Sequence, residues 1–367
     1  MGSLIIDNTI MLSVIAFTVA CVSSLWIHPK ILKVAKVKDI TDNPDKRKLQ
    51  REPIPVLGGS VVFFGIVMGV GLTSPCYDCK DAMFIFAMMV LMLYTGVIDD
   101  IYGLTPKMRF VIEILAALAI IFIDDFAINS FHGLWNIYQI PTWIGIPLTV
   151  LTVVGIVNSI NLIDGVDGLS SGYCILACTI FGVFFALAGD TMMTVLATAS
   201  IGALLPFFIH NVFGHSSKMF IGDSGTLMLG VILSMFVLKI LDADYSYPCL
   251  KGNFGLIPFN LSVLVIPVFD TLRVMSVRIL HGTSPFNPDK THLHHALIGL
   301  GFTHFVTTLS ILGLNLLIVA GWYLLYILGY SASIQMVFVI ITALLFTCGV
   351  YLAATKITSN RKCSDSL

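Results

Sequence analysis

Four groups of carboxylates, an amide and imidazoles interrupt an otherwise oily chain. They are Asp99-Asp100, the run Asn161-Leu-Ile-Asp164-Gly-Val-Asp167-Gly, the run Gly222-Asp223-Ser224-Gly225, and His292-Leu-His294-His295. Adjacent carboxylates such as Asp99 and Asp100 repel, and a divalent cation or a proton makes them tolerable in a partly dehydrated site. Hard oxygen donors of this kind suit magnesium, or manganese, with water and substrate phosphate completing the shell. The plainer reading of that pair is a helix ending in water. Asn161, Asp164 and Asp167 recur at every third residue and share a face if the segment is helical or opens a helix. Gly165 and Gly168 lie among them and permit close approach of a ligand or another backbone. A capping loop explains one polar residue in that run but not three at fixed spacing. Asp223 precedes an apolar run, where it can cap a helix and bind a metal at once. The histidines follow Pro285-Phe-Asn287-Pro-Asp289-Lys290. Beside so many hard carboxylates, hydrogen bonding to phosphate oxygens suits them better than a soft metal site. Lys290, Arg273 and Arg278 add positive charge for a diphosphate, although Arg278 could instead snorkel to the membrane interface.

The elements that must position these groups are membrane helices. Of 367 residues, 57% are hydrophobic and only 11% charged, against about 25% charged in a typical soluble domain. A formal net charge of −1 leaves no bulk basic field for nucleic acid. The first apolar stretch, 9–27, has no positive region before it and no small-residue cleavage site after it, so it reads as a retained helix rather than a signal peptide. Cys21, Cys174, Cys178 and Cys348 lie inside apolar stretches and read as small hydrophobes. Zinc is not expected, and only the Cys76-Tyr-Asp-Cys79 pair leaves a local disulfide open.

With about 20 apolar residues per crossing, eleven spans can be placed at roughly 9–28, 56–74, 81–98, 108–126, 141–160, 170–188, 191–210, 224–242, 259–280, 305–329 and 334–355. Lys and Arg are retained on the cytoplasmic side. Seventeen of the twenty fall on one side of this tracing, leaving Lys80, Lys239 and Lys251 nearer the other. The N-terminus is then outside and the C-terminus inside. The loops at 29–55, 99–107, 158–169, 211–223 and 281–304 are cytoplasmic and contain or adjoin all four polar groups. The expectation is one all-α polytopic domain over 1–367, with no internal repeat.

Ionisable groups beside hydrocarbon are costly and mark function by default. Magnesium-type ligands and cations on the cytoplasmic face suggest phosphoryl transfer between a nucleotide-activated donor and a membrane acceptor. In order along the chain, Pro55-Val-Leu-Gly58-Gly59, Asp99-Asp100, Asn161 through Leu169, Phe220-Ile-Gly-Asp223-Ser-Gly225 and Ser284 through His295 carry a specific resemblance. The chain resembles the polyprenyl-phosphate N-acetylhexosamine-1-phosphate transferases, glycosyltransferase family 4. Within that family the His-Leu-His-His spacing is similar to the GlcNAc-transferring branch. The peptidoglycan translocases typically carry three consecutive histidines, so Leu293 argues against a muramoyl-pentapeptide donor.

The resemblance implies UDP-N-acetylhexosamine and undecaprenyl phosphate as substrates, UMP as leaving product, Mg²⁺ (or Mn²⁺) as cofactor, and a multi-pass home in the bacterial inner membrane among its lipids. It places catalysis on Asp99, Asp100, Asp164, Asp167 and Asp223, with Asp223 and Asp167 holding the metal. Asn161, Arg273, Lys290, His292, His294 and His295 would contact substrate. Lys48, with Arg47, could meet the acceptor phosphate, and a solvated positive loop explains both equally well. Relatives dimerise, but no homodimer interface is legible. A phosphate monoester is largely dianionic at neutral pH and needs little activation, which favours direct transfer with Asp99 positioning the acceptor. The rival makes Asp223 or Asp99 a nucleophile. A peptidoglycan-type donor and, from another class, a transporter with a proton relay are the alternatives.

Overall fold

The computed structural model describes residues 2–42, 53–78, 81–123, 126–243, 252–284 and 290–364, with backbone alone at 2–7 and 358–364. Lys48, the 285–289 segment and Cys79 lie outside the described residues. The helices are α1 (Gly2–Val37), α2 (Gly58–Thr73), α3 (Ala82–Tyr102), α4 (Pro106–Ile123), α5 (Thr142–Leu162), α6 (Leu169–Ala188), α7 (Thr191–Phe213), α8 (Gly222–Leu241), α9 (Leu256–Leu280), the short α10 (Leu293–Gly299), α11 (His304–Ile327), and α12 (Ala332–Leu344) continuing through a π-helical turn into α13 (Val350–Ser364).

Among the described residues, nine helices are long and apolar enough to cross a membrane. The chain is an all-α, multi-pass membrane protein. The other two expected spans are also helices, α4 and α9, and each carries charged residues, Arg109 and Glu113 in one and Asp270, Arg273 and Arg278 in the other.

Helix α8 is the shaft of the bundle. It is apolar all round and buried without a break from Ser224 to Leu238, as expected of a helix with no face toward lipid or water. It packs on α2, α3, α5, α6 and α9, while α1, α2 and α7 form an adjoining group and α9 joins α11 and α12. The N-terminus of α8 is approached so closely that only glycine fits. A Cβ on Gly59 would lie 2.2 Å from the Gly225 nitrogen, and one on Gly96 would lie 2.3 Å from the Ser224 nitrogen. Backbone bonds lock the same corner, with Gly58 N–H donating to the Phe220 carbonyl (3.0 Å), Gly59 N–H to that of Ile221 (2.8 Å) and Phe220 N–H to that of Pro55 (2.9 Å).

Three features differ from the sequence reading. Helix α1 does not stop near residue 28: it runs to Val37 with Pro29 inside it. Buried Leu32 and Ala35 give this extension an apolar face to pack. Beside the antiparallel pair β1 (Thr41–Asp42) and β2 (Ile54–Pro55), an antiparallel hairpin of β3 (Ser130–Leu134) and β4 (Ile137–Gln139) stands between α4 and α5. Finally, Pro267 removes the N–H that would serve the Val263 carbonyl. That carbonyl instead accepts from the Tyr173 hydroxyl of α6 (2.8 Å) and the Asn315 amide of α11 (3.1 Å), which joins three helices at one point.

Candidate active site

One cavity of about 1010 Å³ opens where α3, α5 and α7 end and α2, α6, α8 and α11 begin. This alternation of C- and N-termini is what the expected succession of crossings requires. Asp99, Asp100, Asn161, Asp164, Asp167, Asp223 and His295 line the cavity together with Lys36, His215, Lys218, Phe220 and His304. Three of the four polar groups are thus gathered around one space, and the fourth reaches it through His295.

Asp99 and Asp100 are neighbours with different tasks. The Asp100 carboxylate caps α8 from another helix: Oδ1 accepts from Asp223 N–H (2.8 Å) and Oδ2 from Ser224 N–H (3.1 Å). These are orphan donors of a helix N-terminus, where a negative charge is favourable. Asp99 uses one oxygen to hold its own chain, accepting from Leu104 N–H at 2.6 Å. Its other oxygen lies 3.4 Å from the Arg109 guanidinium, and its charge repels that of Asp223. Asp223 also accepts from the Asn161 amide, which donates to Thr226 Oγ1 as well (2.9 Å).

Arg109 sits between these carboxylates, 3.4 Å from Asp99 and 3.9 Å from Asp223, with Glu113 at 3.5 Å behind it. Asn158 completes its support, accepting from the guanidinium at 3.4 Å and donating to Glu113. Reading the sequence credited Arg109 only to the charge count of the cytoplasmic loops. The usable signal was an Arg/Glu pair at i,i+4 in an apolar helix, which is costly unless it has partners.

The Asn161–Gly168 loop turns the other two carboxylates inward. Burial, reinforced by Asp223, Asp100 and Asp167, pushes the Asp164 carboxyl up to about 7 against the hydrogen bond it accepts from Ser170. For Asp167 burial also disfavours charge, but hydrogen bonds from His304 and Lys218 and their charges outweigh it and hold the carboxyl below its ordinary range. Lys218 Nζ is 2.7 Å and His304 Nδ1 2.8 Å from the same Asp167 oxygen. At Gly168, φ is +76° and a Cβ would lie 2.4 Å from Val212, so glycine is required there on both grounds. Neither Lys218 nor His304 carries a local sequence signal, being 51 and 137 residues away from Asp167.

Four expected substrate contacts are placed elsewhere. Arg273 Nη2 donates to Asp270 (2.6 Å) and to the Thr291 carbonyl (2.6 Å), and its guanidinium lies over the Tyr351 ring. His292 Nδ1 is 2.9 Å from the other Asp270 oxygen, and Leu293 N–H donates to the same carboxylate. Arg273 and His292 therefore spend their polarity on Asp270, a residue the sequence reading passed over, and build the turn that presents the histidines. His294 is buried against Gly165, where a Cβ would meet its Nε2 at 2.4 Å. Burial and the neighbouring imidazoles hold it well below the usual histidine range, so it is neutral and brings no charge. Lys290 is exposed and does not line the cavity. On the opposite, expected-outside face, Cys76 is exposed and carries no disulfide among the described residues.

The donor set can be tested against a divalent cation. Among the described residues no three His, Cys, Asp or Glu groups close a protein-only metal cage. Asp223 and Asp167 offer two hard carboxylates lining one open cavity. That suits magnesium, which keeps waters and takes substrate phosphate for the remaining positions. Asp167, the expected second ligand, has one oxygen committed to Lys218 and His304 and keeps the other for a cation, whereas both Asp99 oxygens already have partners, Leu104 N–H and Arg109.

Known proteins are similar to this chain in sequence. Residues 82–241 match the model of glycosyl transferase family 4. The chain is 30% identical over 310 residues, 83% of each protein, to a Bacillus subtilis (strain 168) protein named probable undecaprenyl-phosphate N-acetylglucosaminyl 1-phosphate transferase. Proteins named undecaprenyl-phosphate alpha-N-acetylglucosaminyl 1-phosphate transferase from Escherichia coli O157:H7 and Salmonella typhi are 26% and 29% identical, each over 74% of this chain and 72% of the relative. The family match spans α3 through α8, the stretch that supplies Asp99, Asp100, Asn161, Asp164, Asp167 and Asp223, and with identity of this extent beyond it the chain belongs to glycosyl transferase family 4.

Proposed function

We propose that this protein transfers N-acetylhexosamine-1-phosphate, with GlcNAc-1-phosphate the first choice, from the UDP-sugar to undecaprenyl phosphate with release of UMP. The observation that carries the reading is that Asp223 and Asp167 line one cavity, with Arg109 3.9 Å from the first and Lys218 2.7 Å from the second. Two acidic groups backed by fixed cations, open to solvent at a helix-bundle end, are what a diphosphate and its counter-cation require. The names of the relatives support the sugar and the lipid. Leu293 between His292 and His294 supports GlcNAc over a muramoyl-pentapeptide donor. The cluster of Lys and Arg at the same end supports a cytoplasmic active site in the bacterial inner membrane, N-terminus outside and C-terminus inside.

Asp223 and the uncommitted oxygen of Asp167 would hold magnesium. When bound, that ion supplies charge neutralisation on the donor diphosphate. The chain's own residues do the rest. Asp100 fixes the first turn of α8 and so aims Asp223. Asn161 restrains the Asp223 carboxyl, and Arg109, braced by Glu113 and Asn158, offsets the repulsion between Asp99 and Asp223. Lys218 and His304 keep Asp167 ionised at the wall. A lipid phosphate oxygen attacks the sugar-linked phosphorus, forming the new P–O bond as the bond to UMP breaks, and Asp99 orients that acceptor.

The test is UMP release by purified protein given UDP-GlcNAc, undecaprenyl phosphate and Mg²⁺, beside Asp223→Asn and a chelated control. Release that needs lipid and metal and is lost in the variant is the expected result. Release of UMP without lipid would replace direct transfer by a covalent intermediate, and silence with every UDP-N-acetyl sugar would refute the assignment.

A further inference from the structure

The cavity wall includes a loop, residues 214–218, that is clamped from α1. His28 of α1 is buried, and its Nε2 lies 2.9 Å from the Ser217 carbonyl. A carbonyl only accepts, so Nε2 carries the hydrogen, and Nδ1, which has no hydrogen-bond partner, is the bare nitrogen. The ring stacks on His210 of α7 with centroids 4.3 Å apart and 23° between planes. His210 Nδ1 in turn meets Ser217 Oγ at 2.9 Å. Two turns further along α1, Lys36 Nζ donates to the Ser216 carbonyl at 2.8 Å. At the loop's start a Cβ on Gly214 would lie 2.3 Å from the His210 carbonyl oxygen, so the chain is held tight at that end as well.

An imidazole with an unsatisfied nitrogen is an expensive way to join a helix to a loop, because buried polar atoms without partners cost free energy that an apolar contact would not. The N–H of that ring is spent on the one loop that delivers Lys218 to Asp167 at 2.7 Å and puts His215 and Ser216 on the cavity surface.

We propose that His28 is a positioning residue of the donor-binding site: by holding the Ser217 carbonyl it fixes the 214–218 loop, and with it the Lys218 ammonium, where a UDP-sugar is bound. The proposal rests on the reading of the cavity as a UDP-sugar site. His28→Phe keeps an aromatic ring against His210 and Phe207 but removes the N–H. His28→Gln restores a donor at similar reach.

The measurement is KM and kcat of UMP release for wild type, His28→Phe and His28→Gln, with hydrogen exchange of the 214–218 segment in the same proteins. The expected result is a donor KM raised about tenfold in His28→Phe with kcat within about twofold, faster exchange across the loop, and recovery of both in His28→Gln. An unchanged donor KM, or equal impairment in the two variants, overturns the proposal. Should His28→Phe fail to insert, His210→Phe reads the same clamp from α7 with the same expected split, and an unchanged donor KM there also overturns it. If wild type releases no UMP from any UDP-N-acetyl sugar, the functional reading has failed. The exchange data then still decide the clamp: faster loop exchange in His28→Phe that His28→Gln reverses upholds it, and indistinguishable exchange refutes it.

Discussion

Asp99 and Asp100 are adjacent and chemically identical, yet the structure predicts opposite outcomes when each is changed to asparagine. Asp100 accepts two backbone N–H groups of α8, one on each oxygen, at 2.8 and 3.1 Å. An asparagine offers one oxygen and one NH₂, so one of those donors faces another donor. Leaving a buried N–H unsatisfied costs about 1–3 kcal/mol, and losing a negative charge at a helix N-terminus adds about 0.3–1 kcal/mol. Asp100→Asn should therefore lower stability by roughly 1–4 kcal/mol, with turnover reduced because the backbone of Asp223 itself is displaced. Asp99 needs only one acceptor for Leu104 N–H, which an asparagine oxygen supplies. Its other oxygen is attracted to Arg109 and repelled by Asp223, two effects of opposite sign. Asp99→Asn should then leave stability within about 1 kcal/mol while turnover collapses. The assay is thermal unfolding in detergent paired with UMP release for both variants. The reasoning fails if Asp100→Asn is as stable as wild type but inactive, which would make Asp100 a reacting group rather than a cap.

Asp164 titrates near neutrality, pushed up to about 7 by burial and by the surrounding carboxylates. Below that pH its carboxyl is protonated. A cation entering the cavity lowers its pKa again, so Mg²⁺ binding at pH 6 should release a proton and weaken as pH falls from about 7. Calorimetric titrations in buffers of different ionisation enthalpy would show the release, and Asp164→Asn should reduce it; identical heats in all buffers would contradict the prediction. Gly59→Ala places a methyl 2.2 Å from the Gly225 nitrogen. Because the obstruction is backbone, α2 must separate from α8, and the folded yield from membranes should fall sharply, whereas Gly71→Ala, with nothing within 4 Å, should extract normally.

Much of this site was legible because acidic and basic residues stand out in an apolar text. The parity of helix crossings then forced Asp99, Asn161, Asp164, Asp167 and Asp223 to one end, and the cavity collects those residues. What was not legible is the set of partners that decide how each group behaves. The division of labour between Asp99 and Asp100 depends on which of two neighbouring side chains reaches α8, and spacing along the chain carries no such information. Asp270 was passed over because it lies in mid-span, 22 residues before the histidine it holds, and its partners are set by how the chain returns after α9 rather than by sequence distance. His294 reads as a cation from its type, and burial makes it neutral. The β3–β4 hairpin escaped notice because a connector between spans has no membrane constraint to reveal it.

The two residues that hold Asp167 are made at different times. Lys218 follows it by 51 residues and His304 by 137. At roughly 5–20 residues per second of synthesis, the lysine emerges about 3–10 s after the carboxylate and the histidine about 7–27 s after it. A carboxylate left beside hydrocarbon takes up a proton or finds a cation, and Lys218 is the first of the two to arrive. Pairing of Asp167 with Lys218 would draw the start of α8 toward the end of α5 before α9, α10 and α11 exist. His304 then joins a pair already made, so the order of translation favours assembly of the catalytic wall from α8 outward, with the histidine turn added last.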